Sequence, residues 1–306
     1  MTTLVFGHKS PDTDSTGSPI IWAWYLSEIM GVAAKPVLLG EPNTEALFML
    51  EHWNIDKPEI VSEVAAGTSV VIVDTNNPAE LPAGINDCDI KAIIDHHRLV
   101  GGIETKGPIH MVIQPLACTA TIMYNTIGKD WAKAPKAVKG AALSCILSDT
   151  LEFRSPTTTD TDKEVALSIA AELDVDVTAY AAEMFAAKSD VSAFSEEALL
   201  RMDSKEFDLN GTNLRVSVLE TTSPAPLMAR KDALMAAMPA VATADDAAEV
   251  LLFIVDILKE EATLLVPNDT VKSIAENSFG VTVVSDHVVL PGIMSRKKQI
   301  IPNLKM

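Results

Sequence analysis

In the first half of the chain the apolar positions fall into short, β-branched runs separated by stretches with helical spacing. Runs at 3–7, 36–39, 69–74, 90–95 and 109–113 read as strands, since a continuous apolar run between turn residues suits a strand buried on both faces. Residues 15–30 and 44–53 repeat their apolar positions at helical spacing, the first stretch with Ser15 and Thr16 as candidate caps. Strands alternating with helices predict βαβ units, right-handed crossovers and a parallel sheet. Four further helices, at 117–128, 135–150, 160–173 and 176–187, complete this block.

From 188 to 195 the helical period is lost and small polar residues take over, which places a linker there. Beyond it, 207–220 reads as two strands around Asn210-Gly211, a hairpin signal, followed by a helix at 226–238 and strands at 250–257, 262–266, 281–284 and 287–290. The expected fold is α/β, with an N-terminal parallel-sheet domain over 1–188, a linker over 189–195 and a smaller C-terminal mixed α/β domain over 196–306.

Composition narrows the classes. With 306 residues, 48% of them hydrophobic and 22% charged, the chain has material for two cores and is not a disordered polymer. The most apolar stretch, 250–258, is interrupted by Asp256 and falls short of the roughly 20 residues a membrane-spanning helix needs. The N-terminal apolar run ends at His8 and Lys9, too early for a signal peptide, so a cytoplasmic location with no membrane partner is expected. Cys88, Cys118 and Cys145 lack CxxC spacing and read as buried free thiols. The balance of 24 basic against 42 acidic residues, net −18, argues against a nucleic-acid partner and means that any phosphate must be held by local cations.

The candidate chemistry lies at the ends of the apolar runs. His8, Asp12 and Asp14 follow the first strand, in a turn stiffened by Pro11. Asp74 ends the most β-branched run, and Asp95-His96-His97 ends another. Ligands in open parallel sheets collect outside the carboxyl ends of the strands, so these distant residues are expected to converge. Taken singly, Asp74 reads as a turn or cap aspartate; the set changes that reading. The adjacent His96 and His97 are expected to point in opposite directions, one to a metal and the other to substrate or a supporting carboxylate. Asp149, at the end of a helical run where the macrodipole opposes an anion, calls for a nearby cation.

Four aspartates and two histidines without a thiolate disfavour structural zinc and suit Mn²⁺, Co²⁺ or Mg²⁺. Four negative charges balance two divalent ions, and such a pair about 3.5–4 Å apart bridges a hydroxide and clamps an in-line displacement at phosphorus. Candidate cations for phosphate stand in Ser295-Arg296-Lys297-Lys298-Gln299; in a regular strand Arg296 and Lys298 would face one way and Lys297 the other. Read alone, that run is a solvated edge, and Lys205 is a surface lysine.

The motifs Gly7-His8-Lys9-Ser10-Pro11-Asp12-Thr13-Asp14-Ser15, Val73-Asp74-Thr75-Asn76, Ile94-Asp95-His96-His97-Arg98, Ser148-Asp149-Thr150 and Ser295-Arg296-Lys297-Lys298-Gln299 together resemble those of the family II, manganese-dependent inorganic pyrophosphatases of the DHH phosphoesterase superfamily. The resemblance implies a DHH domain joined to a DHH-associated domain, with the active site in the cleft between them. It implies one metal on His8, Asp12 and Asp74 and another on Asp14, Asp74, His96 and Asp149, so that Asp74 bridges. It assigns pyrophosphate to His97, Lys205, Arg296 and Lys297, with two Mn²⁺ per subunit, Co²⁺ as a substitute, Mg²⁺ accompanying substrate, and a homodimer. The expected reaction is hydrolysis of pyrophosphate to two orthophosphates by a metal-bridged water or hydroxide. Alternatives from the same superfamily are an exopolyphosphatase or an oligonucleotide phosphodiesterase, and outside it a metal- or phosphate-sensing module. Aromatics at 5% and the net charge count against base stacking. His52, His110 and His287 receive no role.

Overall fold

The computed structural model describes residues 2–209 and 211–305, and the chain forms two compact units, Met1–Ala187 and Lys188–Met306. In the first unit, β1 (Thr3–Phe6), β2 (Ala34–Leu38), β3 (Glu59–Ile60), β4 (Ser69–Val73), β5 (Asp89–Asp95) and β6 (His110–Ile113) form a parallel sheet in the order β3-β2-β1-β4-β5-β6. Sequence order reverses direction between β1 and β4, which makes the gap at their carboxyl ends the switch point of the sheet. The central strands are apolar on both faces because helices cover both: Val5, Phe6, Val70, Ile72, Val73, Ile93 and Ile94 are all buried.

Helices α1 (Thr13–Trp24), α2 (Thr44–His52), α3 (Thr119–Ile127), α4 (Lys136–Thr150), α5 (Asp160–Leu173) and α6 (Val177–Lys188) follow the apolar spacing closely. The first differs in its start and end. Its cap is Asp12, whose carboxylate accepts from Ser15 N (2.9 Å), and not Ser15 or Thr16; past Trp24 the helix widens into a π-helical turn over Tyr25–Ile29. Ser15 is thereby left to bond the turn before it. The two-residue edge strand β3 is too short and exposed to have been read from its pattern.

The second unit contains α7 (Glu196–Met202), β7 (Ser204–Leu209), β8 (Thr212–Thr221), α8 (Ala225–Ala229), α9 (Lys231–Ala244), β9 (Glu249–Asp256), β10 (Glu261–Leu265), α10 (Asp269–Phe279) and β11 (His287–Pro291). Its sheet runs β11-β10-β9-β8-β7, antiparallel except for the parallel β8–β9 pair. Leu209 pairs with Thr212 at the expected hairpin, where Gly211 has φ +89°; Asn210 of the expected turn lies outside the described residues. The expected strand at 281–284 is irregular chain. Here β10 is already paired by β11 from His287 onward, and Val283 N donates instead to Glu276 of α10. The expected helix at 226–238 is two helices, α8 and α9, divided at Arg230, and α7 and α10 are additional.

The segment before α7 packs as part of the second unit: Ser189 is buried and its hydroxyl accepts from Thr221 Oγ1 (2.7 Å). No described helix is long and apolar enough to cross a membrane.

Candidate metal centre

Register places the chemistry in one row. Phe6 pairs with Ile72 and Val73 with Ile94, so the residues leaving β1, β4 and β5 emerge side by side at the switch point. The turn after β1 needs Gly7, because a Cβ there would lie 1.9 Å from Ser15 Oγ, the atom that accepts from His8 N at 2.7 Å. That bond fixes His8 against the start of α1, where Asp12 caps the helix and Asp14 occupies its first turn. Both carboxylates thus lie where the helix dipole favours negative charge. Asp74 adopts φ +56°, the left-handed conformation that aspartate tolerates better than most residues, and its N–H donates to Ile94 O (3.0 Å).

The six residues expected to ligate metal come together in the first unit. Ligand atoms of His8, Asp12 and Asp74 lie within 4.8 Å of one another, and so do those of Asp14, His96 and Asp149. Asp74 links the two groups. Its Oδ2 is 3.5 Å from His8 Nε2, and its Oδ1 is 3.3 Å from His96 Nε2. His8 Nε2 is also 3.6 Å from Asp12 Oδ2. His96 engages Leu116 O through Nδ1 (3.2 Å), the outer bond that orients an imidazole with Nε2 toward a metal.

Electrostatics supply the test of fit. Asp74 Oδ2 and Asp149 Oδ2 are buried with no hydrogen-bond partner. Burial first, then the charges of Asp14, Asp12 and Asp149, push the Asp74 carboxyl well above the usual range. Burial, then Asp14 and Asp12, do the same to Asp149. Burial acts to lower His8, but the Asp12 bond and charge, with Glu80 and Asp14, outweigh it and raise its pKa. A cluster of carboxylates with orphaned buried oxygens suits divalent cations bound by oxygen and imidazole. Burial and the neighbouring Asp14 and Asp149 hold the Cys118 and Cys145 thiols far above their ordinary pKa, and neither sulfur belongs to a candidate metal group among the described residues.

His97 differs from the expected opposite-facing arrangement. The chain turns after Asp95, and the His96 and His97 rings lie with centroids 4.2 Å apart. His97 Nδ1 pairs with Asp95 Oδ1 (2.8 Å), and this bond raises the His97 pKa. Asp95 also accepts from Asn76 Nδ2 (2.5 Å) and from the backbone N–H groups of His96 and His97. Asp95 is therefore the supporting carboxylate and Asn76 its anchor. Two other supporting groups escaped the sequence reading: Ser18 Oγ donates to Asp14 Oδ1 (2.6 Å), and Thr119 N donates to Asp14 Oδ2 (2.8 Å). Ser18, one helical turn after Asp14, had a spacing signal; Thr119, 105 residues away, had none.

The remaining candidates assemble in the second unit. Lys205, Arg296 and Lys297 line a cavity of about 630 Å³ together with Asp203, Glu220 and Ser295. Residues 296–300 form a π-helical turn, not a strand, so the expected alternation of Arg296 and Lys298 against Lys297 does not occur. Gln299 builds this turn by accepting from Met294 N (3.0 Å) and Ser295 N (2.9 Å) and donating to Gly292 O (2.6 Å). Arg296 donates to Asp203 O (2.7 Å) and pairs with Asp203 Oδ1 (2.7 Å). Lys205 and Lys297 have no ion-pair partner among the described residues.

The three unassigned histidines stand apart: His52 packs against Phe48, Trp53 and Tyr180, His287 pairs with Asp286, and His110 lines an apolar cavity at the opposite ends of the strands.

Known proteins resemble the chain along nearly its whole length. The DHH family N-terminal domain profile matches residues 2–149 and the DHHA2 domain profile matches residues 182–306. A Lactobacillus acidophilus protein named "probable manganese-dependent inorganic pyrophosphatase" is 36% identical over 98% of this chain and 97% of its own. A Deinococcus radiodurans protein of the same name is 37% identical with the same coverage. Among solved structures, a Methanococcus jannaschii protein described as a "putative family II inorganic pyrophosphatase" superposes with TM-score 0.64 at 31% identity, over 98% of this chain and 97% of that one. An exopolyphosphatase-related protein of Bacteroides fragilis, at 10% identity and TM-score 0.52 over 98% and 89%, shares the fold.

Proposed function

We propose that this chain, which belongs to the family II, manganese-dependent inorganic pyrophosphatases built from a DHH and a DHHA2 domain, hydrolyses inorganic pyrophosphate to two orthophosphates. The observation that carries the reading is the position of Asp74, one oxygen turned toward His8 and the other toward His96, at the join of two ligand groups. His8, Asp12 and Asp74 would hold one Mn²⁺, and Asp14, Asp74, His96 and Asp149 a second; Co²⁺ fits the same donors, and Mg²⁺ would enter with the substrate. When bound, such ions supply positive charge to phosphoryl oxygens and lower the pKa of water enough for it to attack phosphorus.

The side chains of this protein supply the rest. His97, with Nδ1 tied to Asp95, presents Nε2 to a phosphate oxygen, and its raised pKa favours the form that donates a proton there. Lys205, Arg296 and Lys297 bring the charge that an acidic chain must concentrate to hold a polyanion. The cytoplasmic homodimer implied by the family resemblance is part of the same proposal.

The test is the kinetics of Lys205→Ala and Arg296→Ala beside Mn²⁺ titration of the same proteins. Loss of one preorganised donor should lower kcat/KM for pyrophosphate by about 10²-fold while Mn²⁺ affinity holds. Wild-type kinetics in both variants would remove these residues from the site.

A further inference from the structure

The site leaves one buried charged residue unexplained. Glu45 opens α2, is 0% exposed, and places Oε2 to accept from Thr13 Oγ1 at 2.8 Å and from Ser148 Oγ at 2.6 Å. Thr13 stands between Asp12 and Asp14 on α1, and Ser148 immediately precedes Asp149 on α4. A single carboxylate oxygen therefore ties together neighbours of three of the six candidate ligands, on two helices, with members of both metal groups among them.

Burying a carboxylate is costly, and packing α2 against α1 and α4 needs only an apolar side chain of that length. The hydroxyls also had a local alternative. On α4, Ser144 and Thr150 bond back to the carbonyls of Gly140 and Ile146, as hydroxyls inside helices do, whereas Ser148 reaches across to Glu45.

We infer that Glu45 is a positioning residue that sets the spacing of Asp12, Asp14 and Asp149 by accepting from Thr13 and Ser148, and so tunes the affinity of both metal positions without touching either ion. This rests on the metal-centre reading above. Outer groups of this kind are worth about 10- to 100-fold in metal affinity.

The experiment is Mn²⁺ titration of the metal-stripped full chain, followed by electron paramagnetic resonance of free Mn²⁺, with thermal melts in chelator alongside. Glu45→Met keeps length and loses the acceptor; it should weaken both positions by about 10-fold or more. Glu45→Gln keeps an accepting oxygen and should stay close to wild type. Ser148→Ala should weaken one position, the one that includes Asp149.

Wild-type Mn²⁺ affinity in folded Glu45→Met, with only a lowered melting temperature, would overturn the inference, as would equal losses in Glu45→Gln and Glu45→Met. If Glu45→Met does not fold, Thr13→Val and Ser148→Ala decide: unchanged affinity in both overturns it. A wild-type chain that binds no Mn²⁺ would instead overturn the metal-centre reading itself.

Discussion

Asp74→Asn should produce a protein that is more stable than wild type without metal and indifferent to metal when it is added. Asp74 is 2% exposed, and its Oδ2 has no hydrogen-bond partner. Asn tolerates the left-handed φ of +56° as well as Asp does, so the backbone is not strained by the change. Two ionised carboxylates about 5 Å apart repel by about 3 kcal/mol at an effective dielectric constant near 20, and proton uptake relieves part of that. Removing this charge should therefore stabilise the metal-free fold by about 1–3 kcal/mol, or several degrees in Tm at about 2–4 °C per kcal/mol.

Saturating Mn²⁺ at about 100 times Kd should add about 2.7 kcal/mol per site to wild type, and the variant should lose that gain at both sites together. The pH dependence has a definite sign. The folded-state pKa values of Asp74 and Asp149 are raised, so their contribution is complete below the ordinary carboxylate pKa and is lost as pH rises through the raised values. Metal-free wild type should lose stability with rising pH, and Asp74→Asn should lose less. Melts followed by circular dichroism, with chelator and with Mn²⁺ across pH, read all of this. A metal-free variant that melts below wild type and still gains fully from Mn²⁺ would refute the bridging role.

Other outcomes follow from single contacts. Gly140→Ala would place a Cβ 2.1 Å from the Trp53 indole, which hydrogen bonds to Ser144 and Tyr180 hold in place; a loss of about 1–3 kcal/mol is expected in chemical denaturation, and no loss would mean that α4 shifts freely. Asp203→Ala should raise KM for pyrophosphate about tenfold by removing the Oδ1 partner of Arg296, at about 1.5 kcal/mol for a hydrogen bond to a charged group, while the bond from Arg296 to the backbone carbonyl of residue 203 remains; Asp203→Asn should largely restore it. Tighter substrate binding by Asp203→Ala would show instead that Asp203 competes with phosphate. Asp95→Asn should lower the His97 pKa in the metal-free protein, read by NMR titration, since the Asp95 bond is the main cause that raises it; an unmoved midpoint would contradict the pairing.

The convergence of the candidate ligands was legible where a local rule applies. Residues just past the carboxyl ends of parallel strands reach the switch point, and His8, Asp74 and His96 stand there after β1, β4 and β5, whereas Asp12 and Asp14 come from the cap and first turn of α1 and Asp149 from α4. The buried strands and amphipathic helices of the first unit were legible for the same reason: pattern and packing agree. Glu45, Asn76 and Thr119 were not, because each acts through hydrogen bonds that depend on how distant elements pack. The second unit was read less well. Its basic run reads from sequence as a solvated edge, whereas Gln299 folds it into a turn through three hydrogen bonds to residues 292–295. Residues 281–284 have strand composition, yet β11 already occupies the edge they would need.

The central claim is tested most directly by orthophosphate release from pyrophosphate by metal-stripped protein reloaded in parallel with Mn²⁺, Co²⁺, Zn²⁺ or Mg²⁺, with polyphosphate and a dinucleotide as competing substrates. The account predicts turnover restored by Mn²⁺ or Co²⁺ and confined to pyrophosphate. Cleavage of the polymer or the dinucleotide in its place, or Mn²⁺ binding without turnover, would contradict it.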